Sequence, residues 1–270
     1  MEHPPLSGFT RDSRLERVGE REFAVDVTRE WCIGDAANGG YSLSLGVRAI
    51  AETVPLPVPL TSTAHYLAPV LHGPLRIEVE TIRIGRTLAR GVARLVQGGR
   101  ECVRVLAAFG ALPAEPAPPL YAEEPPLAPA PLEECTALVL GTPSGIPGHV
   151  RAQLDTRYDP ESVGWARGRP TGRSRLAAWT RLADGGEPDR FLLPLVADAL
   201  PCSAFELPGV TERVLTIELT VHQRAVPAPG WLCCAFRADL VADGYLGEDG
   251  WIWDSSGRLV AESRQLALLP

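Results

Sequence analysis

The sequence predicts an α+β fold made of two copies of one unit, each a helix followed by an antiparallel meander, joined head to tail. Three observations carry this. First, residues 112–132 hold eight prolines, so this stretch can form neither helix nor ladder and divides the chain nearly in half. Second, the halves repeat: His65 and Gly73 fall on His222 and Gly230 at an offset of 157, and Gly99-Arg100 falls on Gly257-Arg258 at 158. Third, apolar spacing changes from helical to alternating in the same order in both halves. The expected division is an N-terminal unit at 1–111, a linker at 112–134 and a C-terminal unit at 135–270.

In the first unit Asn38 is a candidate N-cap. Leu43, Val47, Ile50 and Val54 then recur at helical spacing until Pro55, which predicts one amphipathic helix of about four turns. Strand patterns follow at 61–67 and across 75–97, then a Gly98-Gly99 turn and a strand at 101–109. The second unit reads alike: a helical stretch at 191–205 with Pro194 in its first turn, a strand at 214–223, a long β region from Trp231, a turn at 255–257 and a last strand to Leu268. Residues 149–181 supply β segments matching those expected at 22–33.

Composition bounds the function. The chain has 270 residues, 45% of them hydrophobic, as in ordinary globular proteins. No apolar run approaches the roughly 20 residues that cross a bilayer. The start, Met1-Glu-His-Pro-Pro-Leu-Ser, has neither a basic nor an apolar leader region. A cytoplasmic protein without membrane attachment is therefore expected. A net charge of −7 gives no general attraction for nucleic acid. All 26 basic residues are arginine, which reads as compositional drift. The six cysteines lack any Cys-x-x-Cys pair and read as small core residues, and the five histidines lack metal-ligand spacing, so no metal site is expected.

Asp198 is the most informative residue, because it is the only charge in the apolar run 192–200. A carboxylate there must find hydrogen-bond partners or do proton chemistry; the alternative is an Asp on the outer helix face. Gln265 is placed by strand parity: Glu262 and Arg264 mark the solvent side, so Leu259, Ala261, Ser263, Gln265 and Ala267 face inward. By the same rule Leu215, Ile217, Leu219 and Val221 form an apolar face, which puts Thr216 on the polar, solvent side. Asn38-Gly39-Gly40 opens a helix with two glycines, for which close ligand approach and tight packing are both adequate reasons. At the repeat offset Tyr41 falls on Asp198 and Ala107 on Gln265, so one active site per chain is expected, mainly in the second unit.

Taken in order, Asn38-Gly39-Gly40, Ile84-Gly85-Arg86, the 196–201 stretch Val-Ala-Asp-Ala-Leu-Pro and the 259–265 stretch Leu-Val-Ala-Glu-Ser-Arg-Gln resemble the acyl-CoA thioesterase II family and its thioesterase-like relatives over nearly the whole chain. The resemblance implies a double hotdog, two long helices each wrapped by a curved antiparallel sheet. It also implies hydrolysis of acyl-CoA or acyl-carrier thioesters in fatty acid metabolism, with no cofactor. Asp198, Thr216 and Gln265 match the Asp, Thr and Gln with which that family orients the attacking water, against the parity reading of Thr216. The helix start at Asn38, Gly39 and Gly40 is then the expected substrate-binding element, its N–H groups facing the developing oxyanion. Arg83, Arg86, Arg169, Arg173 and Arg175 are candidates for coenzyme A phosphates, and a homodimer of double hotdogs is compatible with the fused pair. Two rivals remain: a non-catalytic acyl-thioester binder, and an enoyl-thioester hydratase or dehydratase, disfavoured because no His lies within twenty residues of Asp198.

Overall fold

The computed structural model describes residues 7–113, 120–121, 129–138, 148–210 and 214–269. Residues 114–119 and 122–128 of the proline-rich connector, and the chain start discussed above, lie outside these.

In chain order the elements are α1 (Gly8–Asp12), β1 (Glu16–Arg17), β2 (Glu22–Val27), β3 (Cys32–Ile33), β4 (Ala36–Ala37), α2 (Gly39–Ala51), β5 (Val58–Tyr66), β6 (Gly73–Ile84), β7 (Ala89–Gln97) and β8 (Arg100–Gly110). After the connector come β9 (Thr136–Ala137), α3 (His149–Ala152), β10 (Leu154–Tyr158), β11 (Arg175–Leu182), α4 (Leu192–Ala199), β12 (Leu215–Gln223), β13 (Leu232–Ala242), β14 (Tyr245–Trp253) and β15 (Leu259–Leu268). Among the described residues, thirteen strands form one antiparallel sheet in the order β1-β2-β6-β7-β8-β5-β12-β15-β14-β13-β11-β10-β9. Read outward from the β5–β12 junction, the two sides follow the same plan.

That junction lies on the repeat's pseudo-twofold. Thr63 pairs with Thr220 across it, and their Oγ1 atoms are 2.8 Å apart. These residues are 157 apart in sequence, the repeat offset itself, so a residue and its own copy meet at the centre of the sheet. The predicted β region at 75–97 resolves into β6 and β7, which turn at Gly85-Arg86, where the Gly85 N–H donates to the Leu88 carbonyl at 2.9 Å.

Helix α2 begins as predicted. The Asn38 side chain accepts from the Tyr41 N–H at 3.0 Å, satisfying one of the unpaired amides of the first turn. It ends at Ala51, because a residue before proline is pushed out of the helical region and Val54 precedes Pro55. The helix is not amphipathic, however: every residue from Gly40 to Val47 is buried. One face packs on β5–β8 and another on α4, so two elements cover what an alternating pattern assigns to one.

Helix α4 is shorter than the predicted 191–205. Pro194 does sit in its first turn, but Pro201 forces Leu200 into an extended conformation, and a short 3-10 turn at Ser203–Glu206 follows. The connection to β12 is thereby longer than that from α2 to β5, and the sequence offset fails for the helices. Tyr41 lies in the first turn of α2, buried, with its ring stacked 5.6 Å from Trp31, whereas Asp198 lies in the last turn of α4. The two are not structural equivalents. Residues 149–181 likewise contain α3 and two 3-10 turns besides β10 and β11.

Candidate active site

The start of α2 meets the end of α4, and Gly40 makes the approach close. A Cβ there would lie 2.3 Å from the Pro194 carbonyl oxygen and 2.9 Å from Leu195 Cα, so the bare backbone at Gly40 is a packing requirement between two helices. This contact delivers the Asp198 carboxylate to the α2 N-terminus. Its Oδ2 accepts from Asn38 Nδ2 at 2.8 Å and from the Gly40 N–H at 3.0 Å. Asn38 thus caps α2 through its amide oxygen while its amide nitrogen holds Asp198. Because Gly40 gives its N–H to the carboxylate, it is not an open donor toward a substrate.

On the other side, Asp198 Oδ1 accepts from Gln265 Nε2 at 3.1 Å, and the same nitrogen donates to Thr216 Oγ1 at 2.5 Å. The three residues named from sequence are therefore joined in one hydrogen-bonded chain through Gln265. Gln265 is 9% exposed on the inward face of β15, as parity predicts. Thr216 departs from parity because a β-bulge between Thr216 and Glu218 inserts one residue into the β12–β15 register. Beyond the bulge Leu219 pairs with Gln265 and faces inward; before it Thr216 pairs with Ala267 and shares that same face. Leu215, read as inward, is consequently exposed.

Burial pushes the Asp198 carboxyl up to about 6, against the hydrogen bonds from Gly40, Gly39, Asn38 and Gln265, which lower it. The folded protein therefore binds this proton more tightly than the unfolded chain does. Asp198 contributes stability below its unfolded value of roughly 4, and that contribution is lost as the pH rises through about 6. At neutral pH an ionised, unusually basic carboxylate is held here at a cost in stability.

Asp198, Thr216 and Gln265 line a cavity of about 770 Å³ whose wall also includes Asn38, Gly39, Tyr66 and Phe236, so both halves of the chain build it. Two residues here escaped sequence reading. The Tyr66 hydroxyl donates to the Gly39 carbonyl at 2.8 Å, bracing the helix start. Glu248 is buried on β14, where its carboxylate accepts from the Ser203 N–H at 2.7 Å and from the Ser203 hydroxyl. Burial raises its pKa, with the charge of Asp198 adding to the effect. The signal was available: Leu246, Glu248, Gly250 and Ile252 alternate inward on β14, the argument that found Gln265. Arg83, Arg86, Arg169, Arg173 and Arg175 are all exposed and none is part of the cavity wall. The six cysteines are unpaired and five are buried; Cys202 is half-buried at the cavity. No helix among the described residues is long and apolar enough to cross a membrane.

Comparison with known proteins matches this arrangement to one family. Residues 27–110 match the acyl-CoA thioesterase N-terminal domain and residues 123–269 the acyl-CoA thioesterase C-terminal domain. Among solved structures, the chain is similar to a candidate thioesterase II from Thermobifida fusca YX, with 32% identity, 99% of each chain covered and a TM-score of 0.90. A candidate thioesterase from Novosphingobium aromaticivorans DSM 12444 is 26% identical over 95% of this chain and 98% of its own, with a TM-score of 0.80. The hot dog fold of an Alicyclobacillus acidocaldarius protein superimposes with a TM-score of 0.84 at 21% identity over 98% and 99% of the two chains. The chain thus has a hotdog fold and belongs to the acyl-CoA thioesterase family of thioester hydrolases.

Proposed function

We propose that the protein is an acyl-CoA thioesterase, a double hotdog of units 1–111 and 135–270 with one active site, in which Asp198, Thr216 and Gln265 direct water onto the thioester carbonyl. The carrying observation is the contact chain from Asp198 Oδ1 through Gln265 Nε2 to Thr216 Oγ1 on the cavity wall. Gln265 uses its amide nitrogen on both neighbours. Thr216 accepts from it and keeps its own proton to donate, and Asp198 Oδ1 keeps a lone pair. A water donating to Asp198 and accepting from Thr216 has its remaining lone pair aimed into the cavity, as direct attack requires.

In this reading Asp198 takes the water's proton as the new C–O bond forms. The carbonyl oxygen becomes an oxyanion in the field of the positive end of α2. Gly40 acts through the N–H it gives Asp198. Collapse breaks the C–S bond and the proton passes from Asp198 to the thiolate, leaving free acid and coenzyme A. An ordinary thiol ionises near pH 8.5, so the leaving group needs no strong acid. Hydratase chemistry is disfavoured because none of the described cavity-wall residues is histidine.

A panel of acyl-CoA esters of increasing chain length, assayed with a thiol-detecting reagent, tests the proposal. Thiol release is expected from part of the panel, with kcat/KM falling one decade per pH unit below about 6 as Asp198 protonates. Tight binding of the esters with no thiol released at any chain length would instead identify a non-catalytic binder.

A further inference from the structure

The cavity that holds Asp198, Thr216 and Gln265 is exposed at one end and enclosed at the other. Asp35, Leu67 and Leu71, from the first half of the chain, are exposed along its wall, Leu67 at 54%. Pro201, Phe205 and Phe236, from the second half, are buried. A thioester has one end that can be enclosed, the hydrocarbon terminus of its acyl group, and one that cannot, the bulky carrier. The acyl group therefore points to the Phe236 end and the carrier stays at the Leu67 end.

Phe236 is seated at the enclosed end by a glycine. It pairs with Gly250 across β13 and β14, and Gly250 pairs in turn with Ser263 of β15, two residues before Gln265. A Cβ on Gly250 would lie 2.7 Å from Phe236 Cε1 and 2.8 Å from Cδ1, so the ring lies across β14 in the space where a side chain would stand. Gly250 has no positive φ, and what glycine supplies at this position is room for the ring, not backbone freedom. On the inward face, Phe236 is one row along from the paired Glu248 and Gln265, beside the reacting centre. Phe205 is braced separately, its ring 5.4 Å from that of Trp165.

We infer that Phe236 sets the acyl chain length the protein accepts, its ring over Gly250 being the wall on which the end of the chain comes to rest; this rests on the thioesterase reading above. Each methylene buried before that point raises kcat/KM about fourfold. A chain too long for the wall leaves methylenes in water or forces the ring aside, and the gain stops.

The test is a series of straight-chain coenzyme A esters from butanoyl to tetradecanoyl. The wild type should show a rise in kcat/KM to one best length and a fall beyond it. Phe236→Ala, which empties the space of the ring, should move the best length up by about two carbons or more, and Phe236→Leu by less. Gly250→Ala, whose methyl displaces the ring toward the cavity, should move it down. Melting curves establish that the variants fold, and Phe236→Leu carries the comparison if Phe236→Ala melts below the assay temperature. An unmoved best length in the folded Phe236 variants, or a loss by the same factor at every length, overturns the inference. The same esters are titrated calorimetrically into Asp198→Asn with and without Phe236→Ala. A length of tightest binding that moves up with the Phe236 change supports the inference even if the wild type releases no thiol, and one that stays in place overturns it.

Discussion

Replacing Asp198 by Asn is expected to lower kcat for thioester hydrolysis by about two to four orders of magnitude, the usual contribution of a general base. Asn is isosteric but cannot take the water's proton. KM should change little, because Asp198 acts on the water and not on the bound ester. The stability change should be small by comparison. Asn presents an N–H where Asp198 now accepts from Asn38, Gly40 or Gln265, which leaves a donor unsatisfied at about 1–3 kcal/mol. Removing a buried charge whose pKa has been pushed to about 6 offsets part of this at neutral pH. Steady-state kinetics with a thermal melt separates the two: activity lost with the melting midpoint nearly kept supports the assignment, and full activity in the variant removes Asp198 from the chemistry.

The largest structural effect is expected from Gly40→Ala. Alanine is favoured over glycine inside a helix by about 1 kcal/mol, so with open space the substitution would stabilise α2. The added Cβ would instead lie 2.3 Å from the Pro194 carbonyl oxygen, and main chain cannot swing aside as a side chain would. Separating two packed helices costs about 1–3 kcal/mol or more, which reverses the sign. A drop of several degrees in the melting midpoint is expected. The same Cβ is 3.0 Å from Asp198 Cβ, so the displacement reaches the carboxylate and activity should fall with stability. A stabilised, active Gly40→Ala protein would show that α2 and α4 do not need this contact.

What could be read from sequence followed from how local each determinant is. Asn38 as the cap of α2, Pro194 in the first turn of α4 and Gln265 on the inward face of β15 depend on residues a few positions away, and the structure has them there. Thr216 depends on a bulge, and a single inserted residue reverses every side chain beyond it, which an alternating pattern cannot register. The repeat offset held for strands, down to the Thr63–Thr220 pair, because ladder pairing fixes their register. It failed for Tyr41 and Asp198 because no ladder constrains the helices and Pro201 ends α4 early.

The central claim, that the Asp198–Gln265–Thr216 set directs water itself onto the thioester, is tested most directly by a single turnover in water enriched in heavy oxygen, with enzyme in excess over acyl-CoA. Direct attack predicts one heavy oxygen in the released acid and none in the protein. Heavy oxygen appearing in the Asp198 carboxylate, with unlabelled acid released, would contradict the account, because the carboxylate and not the water would then have attacked the carbonyl.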